Sequence, residues 1–353
     1  MLVLSIETSC DETAAAVVED GYKLLSNVVA SSVDLHAAYG GVVPEIAARS
    51  HLEVITPVIE EALRIAKTNW DQIDAIAVTQ GPGLIGSLLI GVLTARTLAI
   101  TKNKPLYAVN HVQAHVFATF LTETSLSGYK LPQKKPEFPL LALIVSGGHT
   151  QLVLFKNPSK YKLLGQTTDD AVGEAYDKVA KMLGLPYPGG PSVDKAAQKG
   201  DPKAIKLPDA KIDNPYDFSF SGLKTAVLRA AQKLSGHDYT FPSSGLPEAL
   251  TQAQKADIAA SFQYTAVQTL VDKLKAAYEQ YQPASVVIAG GVAANQELRK
   301  QASLHLTTPV IYPDIKLCTD NAAMIAVLGY FKCKNGQKLA DPYSLEADPG
   351  LKM

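Results

Sequence analysis

Cysteine is scarce in this chain. There are three, at positions 10, 318 and 333 of 353 residues, with no CxxC pair. An odd number at unrelated spacings argues against a disulfide framework and points to the reducing cytoplasm. Long hydrophobic runs are absent as well. The longest, Leu84 to Ala95, is interrupted by Ser87 and followed by Arg96, so it fits a buried helix rather than a membrane span. No basic region precedes the apolar residues at the N-terminus, which argues against a secretory signal. An excess of charge of one sign is also missing. With 33 basic against 34 acidic residues the net charge is −1, so electrostatics alone does not predict a nucleic-acid binder. Lysines do cluster locally: five against two aspartates from Lys195 to Lys211, the pair Lys134-Lys135, and Lys332, Lys334 and Lys338. Such runs are either solvated faces or a binding patch. At 47% hydrophobic and 19% charged the composition is that of a soluble globular protein, and the length suits two hydrophobic cores.

What is present is a pattern that occurs twice. Leu2-Val3-Leu4-Ser5-Ile6 runs into the polar turn Glu7-Thr8-Ser9-Cys10-Asp11-Glu12-Thr13 and on into Ala14 to Val18. Leu141-Ala142-Leu143-Ile144-Val145 runs into Ser146-Gly147-Gly148-His149-Thr150 and on into Gln151 to Phe155. A hairpin tipped by small hydroxyl and glycine residues brings backbone N–H groups close to a phosphate. Two of them predict two related lobes gripping one phosphorylated ligand, and hence an enzyme with a nucleotide site.

The spacing of apolar residues predicts α/β layering with mixed sheets. A Gly-rich loop is expected from His36 to Gly41, and a long helix from Pro44. A buried strand from Ile73 to Thr79 should precede an apolar helix; a short strand, Leu106 to Asn110, should precede the helix carrying His111. The polar, Pro- and Lys-containing stretch 122–138 reads as a linker. This divides the chain into an N-terminal lobe, 1–121, completed by a C-terminal helix, 319–353, and a C-terminal lobe, 139–318. Ser285 to Ala289, ending at Gly290-Gly291 before a helix, mirrors Ile73 to Gly83 of the first lobe.

Several motifs bear chemistry. His111-Val112-Gln113-Ala114-His115 places two imidazoles one helical turn apart, where they converge on a metal ion or serve as satisfied core histidines. Asp320, in Cys318-Thr319-Asp320-Asn321, is either a helix N-cap or the third ligand; two histidines and a carboxylate suit Fe(II) at least as well as Zn(II). Asp177 lies among apolar helix positions, placed to accept from a ribose hydroxyl pair, and the Gly189-Gly190 turn lets backbone approach a ligand. Asn295 is a cap or a partner of a nucleoside edge, and Lys224 either neutralises a phosphate or is an exposed helix lysine. Asp11 and Glu12, at the first hairpin tip, are orienting acceptors or lie beside a metal.

In this order these motifs, together with Phe218 to Thr225 and Cys318 to Ile325, resemble the bacterial tRNA N6-adenosine threonylcarbamoyltransferase family over nearly the whole chain. The resemblance implies a two-lobed actin/sugar-kinase/Hsp70-like (ASKHA) fold with duplicated ribonuclease H-like lobes. It implies transfer of a threonylcarbamoyl group from threonylcarbamoyl-adenylate to N6 of adenosine 37, in tRNAs that read codons beginning with A, with release of AMP. His111, His115 and Asp320 would then hold Fe(2+), one per subunit, with zinc as the alternative. Ile144, Val145, Ser146, Gly147 and Gly148, with Asp177, Gly190, Asp194 and Asn295, would hold the adenylate. Asp11 or Glu12 would accept the amine proton or orient the substrate. The family works with an inactive paralogue subunit and a P-loop ATPase subunit. One departure is the tail: Glu346 to Met353 lacks the basic Pro-Arg-Trp ending of many relatives.

Three rival functions share these features. A metalloprotease would need a general-base glutamate that the HxxxH motif lacks. A small-molecule kinase of the same fold would transfer phosphate from ATP. A binding-only scaffold paralogue would have lost the metal histidines, which are retained here.

Overall fold

Leu2–Glu7 (β1) and Glu12–Glu19 (β2) pair antiparallel, Leu2 opposite Glu19 and Glu7 opposite Ala14, so the polar turn between them stands at one end of the sheet. Lys23–Ser31 (β3) extends the meander with a bulge opposite Val17/Val18. Ala75–Gly81 (β4) adds parallel to β1, and Leu106–Asn110 (β5) adds parallel to β4. Glu123–Thr124 (β6) closes the other edge against β3, giving the order β5-β4-β1-β2-β3-β6. The computed structural model describes every residue except Ala38, Gly40 and Lys211.

Successive residues of a strand face opposite sides. On the Leu4/Ile6 side, Ala15, Val17, Ile76 and Val78 pack with Ile55, Val58 and Ile59 of Pro44–Ala66 (α2) and with Val92 and Ala95 of Ile85–Thr101 (α3). Each such Ile, Leu or Val contributes about 1.5–3 kcal/mol of burial free energy. On the Val3/Ser5 side lies Ala322–Lys334 (α11): Ser5 Oγ donates to the Ala322 carbonyl at 2.6 Å. A Cβ on Gly329 would stand 2.6 Å from that of Ala77, so only glycine lets this helix sit so close to β4.

The chain separates into two compact units. Unit 1 comprises Met1–Phe138, Phe155–Tyr161 and Ile311–Met353; unit 2 comprises Pro139–Leu154 and Lys162–Val310. Unit 2 is built on a second sheet of Leu140–Val145 (β7), Thr150–Asn157 (β8), Lys160–Gln166 (β9), Ser285–Ala289 (β10) and Val310–Ile311 (β11), in the order β11-β10-β7-β8-β9. β10 runs parallel to β7, Ser285 opposite Leu140, as β4 does to β1. The shared order 4-1-2-3 and 10-7-8-9 is the duplication that the repeated hairpin announces. Its helices are Val172–Leu183 (α5), Gly189–Ala197 (α6), Ser221–Leu234 (α7), Leu246–Ala249 (α8), Gln252–Tyr281 (α9) and Gln296–His305 (α10). In unit 1, Val33–Ala37 (α1) and His111–Phe117 (α4) are short.

Four local expectations are revised. His36 lies in α1 rather than in a Gly-rich loop, its ring buried between Ser32 Oγ (3.1 Å from Nε2) and the Val43 N–H (3.2 Å to Nδ1); Ala38 and Gly40 of that stretch lie outside the described residues. The strand read from Ile73 begins at Ala75. The stretch 122–138 is not free chain: it supplies β6, and the Lys135 ammonium stands 3.7 Å from the centroid of the Tyr22 ring. The helix read over 319–353 spans only Ala322–Lys334, and the remaining tail is strapped to unit 1 by Arg96, whose guanidinium donates to the carbonyls of Pro342, Tyr343 and Leu345. Among the described residues no helix is long and apolar enough to cross a membrane.

Candidate metal centre and ligand-binding residues

In unit 1, α4 begins directly at the end of β5, with Asn110 capping it by accepting from the Gln113 N–H at 3.0 Å. The cap fixes the first turn, so His111 and His115 project from one face. Asp320 arrives from the segment before α11. Its Oδ1 lies 3.4 Å from Nε2 of both histidines, and the three donor atoms lie within 4.8 Å of one another. The expected N-cap role falls instead to Asn321, which accepts from the Met324 N–H at 3.1 Å. That shift of one residue leaves the Asp320 carboxylate unspent.

Burial works to raise the Asp320 carboxyl, but the charge and hydrogen bonding of His111, helped by His115, outweigh it and hold the group well below the usual carboxylate range. Burial likewise opposes the His111 imidazolium; Asp320 and Glu7 more than offset it and raise its proton affinity well above the ordinary value. His115 is the anomaly. It is buried, and apart from the long approach of Asp320 neither ring nitrogen has a hydrogen-bond partner among the described residues. Orphaned nitrogens cost free energy, and a bound metal would recover the part that belongs to Nε2, the nitrogen facing Asp320. The donor set therefore fits a divalent metal held by two imidazoles and one carboxylate.

Glu7 is the residue that spacing did not single out. It is fully buried at the end of β1, and Oε2 lies 3.0 Å from His111 Nδ1 and 2.6 Å from the Thr79 hydroxyl, while Oε1 accepts from the Ser9 N–H at 2.5 Å. Ser9 Oγ is also 3.1 Å from His111 Nδ1. A carboxylate on the far nitrogen of a ligating histidine fixes its ring and raises its basicity. A glutamate closing an otherwise apolar strand is the only signal the sequence offers for it. Glu7 also bears on the protease reading: a glutamate does stand beside the histidines, but both its oxygens are engaged, so it is not a free general base.

Asp11 and Glu12 follow at the hairpin tip. Ser31 Oγ donates to Glu12 Oε1 at 3.2 Å, while burial, followed by the charges of Asp320 and Asp11, pushes the Glu12 carboxyl up to about 10. Behind them His51 is buried: its Nε2 donates to the Cys10 carbonyl at 3.0 Å and its Nδ1 accepts from the Thr13 hydroxyl at 2.7 Å.

In unit 2, Ile144 and Val145 are strand residues with fully buried side chains, so what they offer is backbone. Ser146 closes the turn: its N–H donates to the His149 carbonyl at 2.8 Å and its Oγ accepts from the His149 N–H at 3.1 Å. A Cβ on Gly173, at the start of α5, would come 2.5 Å from the Ser146 carbonyl, so that helix abuts the turn. Gly147 and Gly148 are exposed, and a Cβ on either, or on Gly190, would meet no neighbouring atom of the described residues within 4 Å. Gly189 and Gly190 form the first turn of α6 rather than a loop, and Asp177 Oδ1 accepts from the Gly189 N–H at 2.7 Å. Asp194 and Asn295 are brought together by Gln263 of α9. The Gln263 amide donates to Asp194 Oδ1 at 3.0 Å, and Asn295 donates to Gln263 Oε1 at 2.9 Å while capping α10. Gln263 is a further residue the sequence reading missed, hidden in the long amphipathic pattern of α9. Lys224 is neither free nor merely solvated: it pairs with Asp170 at 2.8 Å, and Lys178 pairs with the same carboxylate at 2.8 Å.

Two such sheets with a repeated strand order define the actin/sugar-kinase/Hsp70-like class. HypF from T. kodakarensis aligns with 96% of this chain and 49% of its own length at a TM-score of 0.60, and a full-length HypF in the phosphate- and nucleotide-bound form aligns at 0.56, each at 12% identity. These likenesses concern the fold alone. The model of the family described as tRNA N6-adenosine threonylcarbamoyltransferase matches residues 23–327. A protein of that name from Symbiobacterium thermophilum is 51% identical over 99% of this chain and 96% of its own, and one from Thermomicrobium roseum is 50% identical over 95% and 93%. The chain belongs to the tRNA N6-adenosine threonylcarbamoyltransferase family.

Proposed function

We propose that this transferase moves a threonylcarbamoyl group from threonylcarbamoyl-adenylate to N6 of adenosine 37, in tRNAs that read codons beginning with A, and releases AMP. The observation that carries the reading is the buried His115, its ring nitrogens unpartnered beside His111 and Asp320, in a chain of this family. We assign the three as ligands of one Fe(2+), with Zn(2+) as the alternative. A metal bound there supplies Lewis acidity toward an acyl carbonyl or a ligand oxygen. Glu7 holds the His111 ring in the ligating orientation.

The exocyclic amine of adenosine is a poor nucleophile, so activation falls on the mixed-anhydride carbonyl. A C–N bond forms, the C–O bond to the phosphate breaks, and AMP leaves. The N–H groups at Gly147 and Gly148 are donors for the leaving phosphate. Asp177 accepts from the ribose, Gly190 gives the ligand room, and Asp194 with Asn295 orients the nucleoside. Asp11 accepts the proton released by the amine, and Glu12, which already holds one, orients the substrate. A cytoplasmic location and assembly with an inactive paralogue and a P-loop ATPase complete the reading.

Mass spectrometry of nucleosides from unmodified tRNA, incubated with the protein, its partners and synthetic threonylcarbamoyl-adenylate, tests it. Threonylcarbamoyladenosine that disappears with His115→Ala is the expected result. Its absence from the wild-type reaction, with active partners present, overturns the reading.

A further inference from the structure

Unit 2 holds an open cavity of about 730 Å³ between residues 185–188, α6 and the first turn of α9. None of the residues assigned to the adenylate lines it. Lys255 does, and only 9% of its surface is exposed. Its ammonium makes no hydrogen bond or ion pair among the described residues. Its place is unfavourable twice over: it lies in the first turn of a 30-residue helix, where the dipole opposes a cation, and it has no counter-charge among the described residues. An anion in the cavity relieves both.

Two more cations reach the same space. Lys195 and Lys199 are exposed, one helical turn apart along and just beyond α6, and line the cavity without an ion pair among the described residues. Like charges at that spacing repel, and an anion between them removes the repulsion. Among the described residues no carboxylate lines the cavity, and Pro186, Pro188 and Tyr187 give it an apolar wall. Solvated lysines would explain the exposed pair; they do not explain Lys255.

We propose that this cavity binds a phosphate of the tRNA backbone, with Lys195, Lys199 and Lys255 around the phosphate and the adjoining ribose or base against the proline–tyrosine wall. The proposal rests on the tRNA-modifying function above. Lys203 and Lys206 continue the basic run beyond the cavity, which a chain of phosphates uses and a single small anion does not.

The test is tRNA binding by the full-length protein, followed by fluorescence anisotropy as salt rises from about 50 to 200 mM. Lys255→Gln, and separately the Lys195→Gln/Lys199→Gln pair, should weaken binding several-fold and flatten the plot of log K against log salt by about 0.7–0.9 for each phosphate no longer neutralised. Lys255→Arg should keep the wild-type slope. The exposed pair carries the test alone if Lys255→Gln fails to fold. An unchanged affinity and slope in folded variants overturns the proposal, as does loss of pyrophosphate binding with tRNA binding intact, which identifies a small-anion site. Both outcomes leave the transferase reading standing. A wild-type protein that binds no tRNA sinks both.

Discussion

Glu7 Oε2 stands 3.0 Å from His111 Nδ1, joining the end of β1 to the start of α4 across 104 residues of sequence. With both carboxylate oxygens engaged and the side chain fully buried, Glu7 holds the ring in one orientation. Glu7→Gln should therefore weaken metal binding by about 10–100-fold while the fold persists. Competition with a chelator, alongside circular dichroism, measures both; an unchanged affinity would show that Glu7 does not orient the ligand.

His115→Ala should abolish stoichiometric metal. Because the ring nitrogens are unpartnered, the apo protein should not lose a hydrogen bond with them. Elemental analysis of protein purified under anaerobic conditions reads the metal. Full retention of iron by the variant would place the ion elsewhere.

Asp170 carries two lysines in unit 2. Burial works to raise its carboxyl, and the hydrogen bonds and charges of Lys178 and Lys224 win, setting it below its ordinary value of 3.8. A depressed carboxylate contributes stability that is fully present above the unfolded-state value and is lost as pH falls through the folded one. Asp170→Asn should cost about 1–3 kcal/mol near neutral pH, and the gap to wild type should close below about pH 4. Urea unfolding at neutral and at acid pH decides it; a gap that widens in acid contradicts the assignment.

Gly329→Val should press α11 off β4, where even a Cβ would come 2.6 Å from that of Ala77. Overpacking of this kind costs about 1–3 kcal/mol, and the same displacement should weaken metal binding through Asp320. Thermal melting and metal titration of one preparation check the two together.

Gln263→Leu should remove the amide that bonds both Asp194 and Asn295, leaving only their own 3.4 Å contact, and raise KM for the adenylate by about tenfold, some 1.4 kcal/mol, with metal content untouched. A loss of metal, or a change in kcat alone, would count against a role in holding the nucleoside.

Much of this molecule could be read from its residues. The two hairpins, α2 starting at Pro44 and the His111/His115 face all follow from local periodicity and turn chemistry. The features that sequence does not reveal depend on residues meeting from far apart. Nothing near Glu7 says that Thr79 and His111 will close on it, and Gln263 resembles any polar position on a long helix. Caps are hard for a related reason: Asp320 and Asn321 are both good caps, and only the path of the preceding chain decides between them.

That choice has an engineering consequence. Asn321 starts α11 by itself, through Met324, so the helix does not depend on the neighbouring carboxylate. Residue 320 can then be exchanged for other donors (Glu, His, Cys) in a scaffold whose helix start is already secured, which makes it the natural entry point for selecting a different metal at this centre.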